Sequence, residues 1–180
     1  VHETGCQIAW CPAAFFSLGI AQNVSFKMAK RYRRGIRLSL GTDGPRNGTP
    51  GETMLAARFV SQTYADHLSP GSLLEMQTIN AAAAAGLDAE LGSLESGKRA
   101  DVVVRSARVA EAYPDNNPTH ILALTMRAGS VETVLVNGEI VFSGGHSTRV
   151  DESEVYRTVS DSVVARAKRL DIDPGPDWPV

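Results

Sequence analysis

One acidic residue comes directly after a segment with the pattern of a β-strand, where its type and position suit chemistry. Residues 36–40 alternate apolar and polar side chains, and the turn-rich segment 41–45 follows them. Asp43 shares the polar face of this strand if the extended backbone persists. In a (β/α) barrel that face points toward the barrel axis, and active sites lie beyond the C-terminal ends of the strands. Asp43 is therefore predicted to be a metal ligand or a general acid/base, and the alternative is an ordinary turn aspartate.

The other metal-ligating and nucleophilic side chains are few and widely spaced. No H-x-H, H-x-x-x-H or C-x-x-C pattern occurs, whereas a zinc-type site needs three or four converging donors. We expect the histidines to be surface or helix-capping groups and the cysteines to be buried free thiols: His2, His67, His120, His146, Cys6 and Cys11. Serine-hydrolase and P-loop functions have no support, because neither G-x-S-x-G nor G-x-x-x-x-G-K-S/T is present.

Two weaker candidates each have an ordinary structural interpretation. The pair Gly97-Lys98 suits phosphate binding in principle, but the glycine spacing favours a plain turn. Trp10 could stack on a ligand at the end of its strand, and the alternative is a buried aromatic side chain. A basic run at 27–34 is typical of the solvated side of a helix.

The charge balance of the chain limits its partners. Its 180 residues carry 18 Lys and Arg against 20 Asp and Glu, a net charge of −2, which gives no electrostatic footprint for nucleic acid. No apolar run approaches the roughly 20 residues of a membrane span. Two cysteines and the lack of a signal-peptide pattern predict a cytoplasmic location. The chain begins with Val1 rather than methionine, which favours a piece of a longer protein.

The first third of the chain alternates predicted strands and helices. A short strand at 7–11 and the strand at 36–40 flank a predicted helix. In that helix Val24, Met28 and Tyr32 recur every four residues, as they do on one helix face. This order of strand, helix and strand favours parallel pairing.

Two helices are predicted next. The first covers 52–67, and Leu55 and Phe59 share its apolar face. The second runs without interruption through the alanine-rich segment. Two starts compete for it: the serine before Pro70, or a capping box that begins at Ser72.

The second half of the chain has the pattern of an antiparallel sheet followed by a helix. Strands are predicted at 100–104, 131–136 and 139–142, and Asn137-Gly138 between the last two is a strong hairpin signal. Residues 151–170 form an amphipathic helix with an apolar stripe. A change of domain is placed near 91–97, which gives three predicted units: a barrel portion at 1–90, part of a composite β-sandwich domain at 91–145, and a C-terminal helix and tail at 146–180.

Several sequence segments, taken in order, are similar to one known family. They are Trp10-Cys11-Pro12, Gly41–Gly44, Gly92–Val104 and Val131–Val141. These segments resemble the C-terminal portion of amidohydrolase-superfamily enzymes, in the cytosine deaminase-like and chlorohydrolase-like branch, over residues 1–143. The resemblance implies an α/β fold class: strands seven and eight of a TIM (β/α)₈ barrel with their helices, and part of a small β-sandwich domain.

The resemblance also implies a function for the complete enzyme. Such enzymes are metal-dependent hydrolases of C–N or C–Cl bonds that often deaminate a small heterocyclic amine. Asp43 corresponds to the aspartate after strand eight, which binds the metal and shuttles a proton. The implied cofactor is one divalent ion, Zn²⁺ with Fe²⁺ as the alternative, and the complete enzyme is expected to be a homo-oligomer, a dimer.

A complete barrel takes about 250 residues, so we expect this chain to be an incomplete enzyme that is inactive alone. Two alternatives stay open: a non-catalytic module for binding or assembly, and one subunit of a split hydrolase.

Overall fold

The computed structural model describes residues 5–24, 27–44 and 48–173. The strands are β1 (Ile8–Trp10), β2 (Leu38–Leu40), β3 (Val102–Arg105), β4 (Val131–Val136), β5 (Glu139–Ser143) and β6 (His146–Ser147). The helices are α1 (Pro12–Ser17), α2 (Ala21–Val24), α3 (Met28–Arg33), α4 (Pro50–Thr63), α5 (Pro70–Gln77), α6 (Ile79–Ala84), α7 (Pro118–His120) and α8 (Glu152–Arg169). His2 and the predicted irregular tail after Asp173 lie outside the described residues. The mixed α/β class is confirmed, whereas the division into three units stays a prediction.

The first two strands form a parallel pair, as predicted. Ile8 lies opposite Leu38, and Trp10 lies opposite Leu40. The pair is extended by one hydrogen bond, in which the amide of Gly41 donates to the carbonyl oxygen of Trp10 at 2.9 Å. Both strands are only three residues long, and the side chains of β2 are all buried.

The single helix predicted between these strands is wrong. The described residues between the strands form three short helices: α1, then α2, which ends at Val24, and α3, which begins at Met28. Lys27, the N-cap of α3, has φ −109° and ψ 1°, which is not helical geometry, so α3 starts as a separate helix. The periodicity still identified part of the core, since Met28 is buried and Tyr32 packs against the same cluster.

Helix α4 buries a different face from the predicted one. A capping box starts it, in which the amide of Thr49 donates to the carboxylate of Glu52 at 2.5 Å. Phe59 is 56% exposed, whereas Met54 and Val60 are buried. Neighbouring elements pack against α4 and determine which face is covered, and this information is absent from the periodicity of one helix.

Two helices replace the single predicted helix after residue 69. The hydroxyl of Ser69 accepts from the amide of Ser72 at 3.0 Å, so the start before Pro70 is the one used. The helical backbone is interrupted at Thr78, which has φ −119° and ψ −88°. The Thr78 hydroxyl donates to the carbonyl oxygen of Leu74 at 2.7 Å, a local bond that competes with regular helix geometry.

A single apolar cluster fixes β1 and β2 against the helices. Trp10 and Leu38 are fully buried in it, and so are Leu73 and Met76 of α5. Burial of each such side chain contributes about 1.5–3 kcal/mol. The cluster therefore fixes the positions of the C-terminal ends of both strands.

The remaining strands form an antiparallel sheet in the order β3-β4-β5-β6. The predicted hairpin is confirmed: Val136 pairs with Glu139 across a two-residue turn. Asn137 and Gly138 both have positive φ values, +52° and +82°, as a type I′ turn requires. Helix α8 follows this sheet, with Asp151 as its N-cap.

Within 5–24, 27–44 and 48–173, no helix has the length and apolar character needed to cross a membrane.

Candidate active site at the ends of two parallel strands

The ends of β1 and β2 bring together two residues that are distant in sequence. Cys11 directly follows β1, and Asp43 lies three residues beyond β2. Cys11 and Asp43 lie near each other, since both the charge and the backbone amide of Asp43 act on the pKa of the Cys11 thiol. The sulfur also lies directly over Gly41, where an added Cβ would be 3.0 Å from it. The thiol therefore contacts the loop that carries Asp43.

Asp43 reaches this position through a turn and not through a continued strand. Its φ is +65°, in the left-handed region that residues other than glycine rarely adopt. The condition that extended geometry persists to Asp43 is therefore not met, because the strand ends at Leu40. Aspartate tolerates this conformation better than most residues do. Its carboxylate is exposed to solvent, beyond the C-terminal end of β2.

The pKa of the Cys11 thiol is raised above its usual value. Partial burial is the main cause that raises its pKa, and the negative charge of Asp43 raises it further. The hydrogen bond from the Asp43 amide acts in the opposite direction but does not outweigh these effects. A nucleophilic cysteine needs a lowered pKa, so Cys11 does not suit that role. The expectation of two buried thiols is wrong for Cys6, which is exposed, while Cys11 is half-buried.

The donors needed for a metal centre do not come together in the part of the chain that the structure describes. No group of three or more His, Cys, Asp or Glu residues there is placed to hold an ion. His67 follows α4, His120 lies in α7, and His146 lies in β6 beside Glu152, with all three histidines exposed. Asp43 is thus a single candidate ligand, and the residues present do not by themselves fit a metal ion.

Lys98 has a structural role instead of a phosphate-binding one. Its ammonium group donates to the carbonyl oxygen of Asp88 at 2.7 Å, to that of Leu91 at 3.3 Å and to the hydroxyl of Ser93 at 2.7 Å. These three bonds use all three N–H donors of the ammonium group. These three bonds of Lys98 hold the loop before β3 closed, and we call them the loop clamp.

Sequence reasoning missed a basic groove of about 850 Å³ between α3 and the segment that follows α4. It is lined by Lys27, Lys30, Arg31, Arg33, Arg34, Tyr64, Ala65 and Asp66. Arg33 pairs with Asp66 and also donates to the carbonyl oxygen of His67 at 3.0 Å. Cations in the last turn of a helix complement its dipole. These cations therefore have a structural reason to be there, and the spacing of the basic run at 27–34 was its only sequence signal.

The sequence of this chain matches a known protein family. The model of the amidohydrolase family matches residues 4–141. The 5-methylthioadenosine/S-adenosylhomocysteine deaminase of Thermoanaerobacter pseudethanolicus is 36% identical over 144 residues, which are 77% of this chain and 32% of that enzyme. The chain belongs to the amidohydrolase family. It spans about a third of the length of the curated relatives it matches.

Two solved structures share the fold at lower identity. The adenosine deaminase from Xanthomonas campestris, a structure with bound zinc, has a TM-score of 0.81 and 21% identity; the match covers 89% of this chain and 37% of that one. The atrazine chlorohydrolase from Arthrobacter aurescens, complexed with zinc and atraton, has a TM-score of 0.71 and 22% identity, with coverage of 86% and 35%. Both likenesses show that the chain shares the fold of part of these two enzymes.

Proposed function

We propose that this chain is the C-terminal part of an amidohydrolase that deaminates a small adenosine-like heterocycle. The observation that carries the proposal is the position of Asp43, beyond β2 and in contact with the end of β1 through Cys11. The relationship to methylthioadenosine/S-adenosylhomocysteine deaminases supports the substrate class. In this proposal β1 and β2 are strands seven and eight of a barrel, and the sheet β3–β6 is part of a β-sandwich domain.

The chemistry assigned to this chain is a proton transfer at the Asp43 carboxylate. Hydrolytic deamination forms a C–O bond from water and breaks the C–N bond, so one proton must leave the water and one must reach the departing amine. A carboxylate at the mouth of the strands accepts the first proton and returns it to the amine, which leaves as ammonia. Asp43 is exposed beyond the C-terminal end of β2, so a substrate can reach its carboxylate there.

A divalent ion belongs to the complete enzyme in this proposal, with Asp43 as one ligand and Zn²⁺ or Fe²⁺ as the ion. The zinc in two structural relatives supports it. The other ligands would come from outside the described residues, which supply no cluster of donors. The proposal includes a chain that is inactive alone and a complete enzyme that is a homodimer in the cytoplasm.

The test compares ammonia release by the 180-residue chain with release by the complete protein from the source gene. Methylthioadenosine, S-adenosylhomocysteine and guanine serve as substrates, and a chelator removes the metal in a parallel reaction. We expect turnover of an adenosine-like substrate by the complete protein only, and its loss after chelation. Turnover by neither protein would favour the non-catalytic module. Turnover that appears only with a separately encoded partner would favour the split hydrolase.

A further inference from the structure

The last helix exposes an apolar stripe that no other described element covers. Val155, Val159 and Val163 are 44%, 56% and 57% exposed, and Leu170 is 52% exposed. Their spacing of four, four and seven residues places them on one face of α8. No residue of the helix is buried. Exposed apolar stripes of this kind are typical of interaction surfaces.

The helix is attached to the rest of the described chain at its first turn. The carboxylate of Glu152 accepts from the amide of Ser147 at 2.8 Å, and its second oxygen lies 3.2 Å from Nδ1 of His146. Most helix stability in proteins comes from packing of the apolar face, and α8 buries none of its residues. A surface that covers the stripe would supply this missing stabilisation.

The charges at the two ends of α8 indicate what kind of surface could cover its apolar stripe. Its first turn carries Glu152 and Glu154, and its last turn carries Arg166, Lys168 and Arg169. An antiparallel helix with the same sequence brings a basic end against each acidic end. A parallel copy would instead place like charges together. The charge pattern is therefore complementary to itself in the antiparallel orientation.

We propose that a second copy of this chain packs its α8 antiparallel against the apolar stripe, which makes a two-fold symmetric dimer. Val159 is the middle one of the three valines and meets the partner's Val159. Val155 then faces the partner's Val163, and Glu152 faces the partner's Arg166, because each pair is equally far from the centre. Such an interface uses the same patch on both copies, as closed two-fold dimers do.

Sedimentation velocity of the 180-residue chain tests the dimer, with Val159→Asp as the variant and Val164→Asp as the matched control. Val164 is 64% exposed on the same helix, about 140° around the axis from Val159. We expect Val159→Asp to raise the dimer dissociation constant by about 100-fold, since it places two facing carboxylates in an apolar contact. Val164→Asp should leave the constant unchanged, and circular dichroism must show equal helicity in both variants.

Cross-linking tests the register. In a Cys6→Ser background, Val159→Cys should form an intermolecular disulfide under mild oxidation, whereas Val164→Cys should not. A monomeric chain, or a dimer that both aspartate variants weaken equally, would overturn the proposal. It would also be overturned by an oligomer that neither variant changes, because the stripe would then be covered by something other than a second α8. These readouts need no enzymatic activity, so their failure can be distinguished from a failure of the proposed deamination.

Discussion

Replacement of Gly92 by alanine should destabilise the chain strongly, because the added methyl group has no room. Gly92 has φ +92°, where an L-residue is strained. An added Cβ would lie 2.8 Å from Cβ of Ala82, 3.1 Å from Cα of Ile79 and 3.2 Å from the carbonyl oxygen of Thr78. The left-handed backbone costs about 1–2 kcal/mol, and overpacking of this kind adds about 1–3 kcal/mol. The expected loss is therefore about 2–5 kcal/mol.

Gly97→Ala is the matched control for this loss. Gly97 has φ +93° with nothing within 4 Å of an added Cβ, so it carries the backbone cost without the packing cost. Urea unfolding of both variants, followed by circular dichroism, gives the two losses in the free energy of unfolding. We expect Gly92→Ala to lose about 1–3 kcal/mol more than Gly97→Ala. Equal losses would refute the packing of this loop against α6.

Three further predictions concern the strand ends, the loop clamp and a helix cap. Gly41→Ala should destabilise the chain by about 1–3 kcal/mol, because the added Cβ would lie 3.0 Å from the Cys11 sulfur. Cys11→Ala should relieve most of that loss in a double-mutant cycle measured by urea unfolding. Additive losses would contradict the contact between Gly41 and Cys11. Lys98→Met should lower the free energy of unfolding by about 1–3 kcal/mol, because it leaves loop acceptors unpaired, whereas Arg108→Met at an exposed position should change it little. The pKa of Glu52 is lowered, mainly by the backbone amide that its carboxylate accepts from at the start of α4, so its stabilisation is present above the unfolded-state pKa and is lost as pH falls through the folded-state pKa. Glu52→Gln should therefore flatten the acid limb of a stability–pH profile, and an unchanged limb would exclude this role.

Local signals predicted some parts of the fold well. Asn137-Gly138 specified the hairpin, because a type I′ turn needs two residues that tolerate positive φ. The buried face of α4 could not be predicted in the same way. Phe59 is larger and more apolar than Thr53, yet Thr53 is fully buried and Phe59 is exposed. Tertiary neighbours determine that choice, and a single helical period does not contain them.

In the candidate site, too, local sequence signals predicted some features and tertiary contacts determined the others. Position in the chain identified Asp43 correctly as a residue beyond the end of a strand, but strand alternation could not give its conformation, since φ +65° belongs to the turn. The contact between Asp43 and Cys11 joins residues on different strands and depends on the parallel register of β1 and β2. Sequence spacing alone offered no signal for it.

Asp43 is the functional carboxylate of a hydrolase in the function proposed above. The steady-state rate of ammonia release tests this role in the complete protein, with Asp43→Asn compared against Asp115→Asn, which changes an exposed carboxylate in the loop before α7. We expect Asp43→Asn to lower kcat by about 10²–10⁴-fold with the free energy of unfolding unchanged, while Asp115→Asn keeps full activity. Equal activity in the two variants would contradict the role of Asp43.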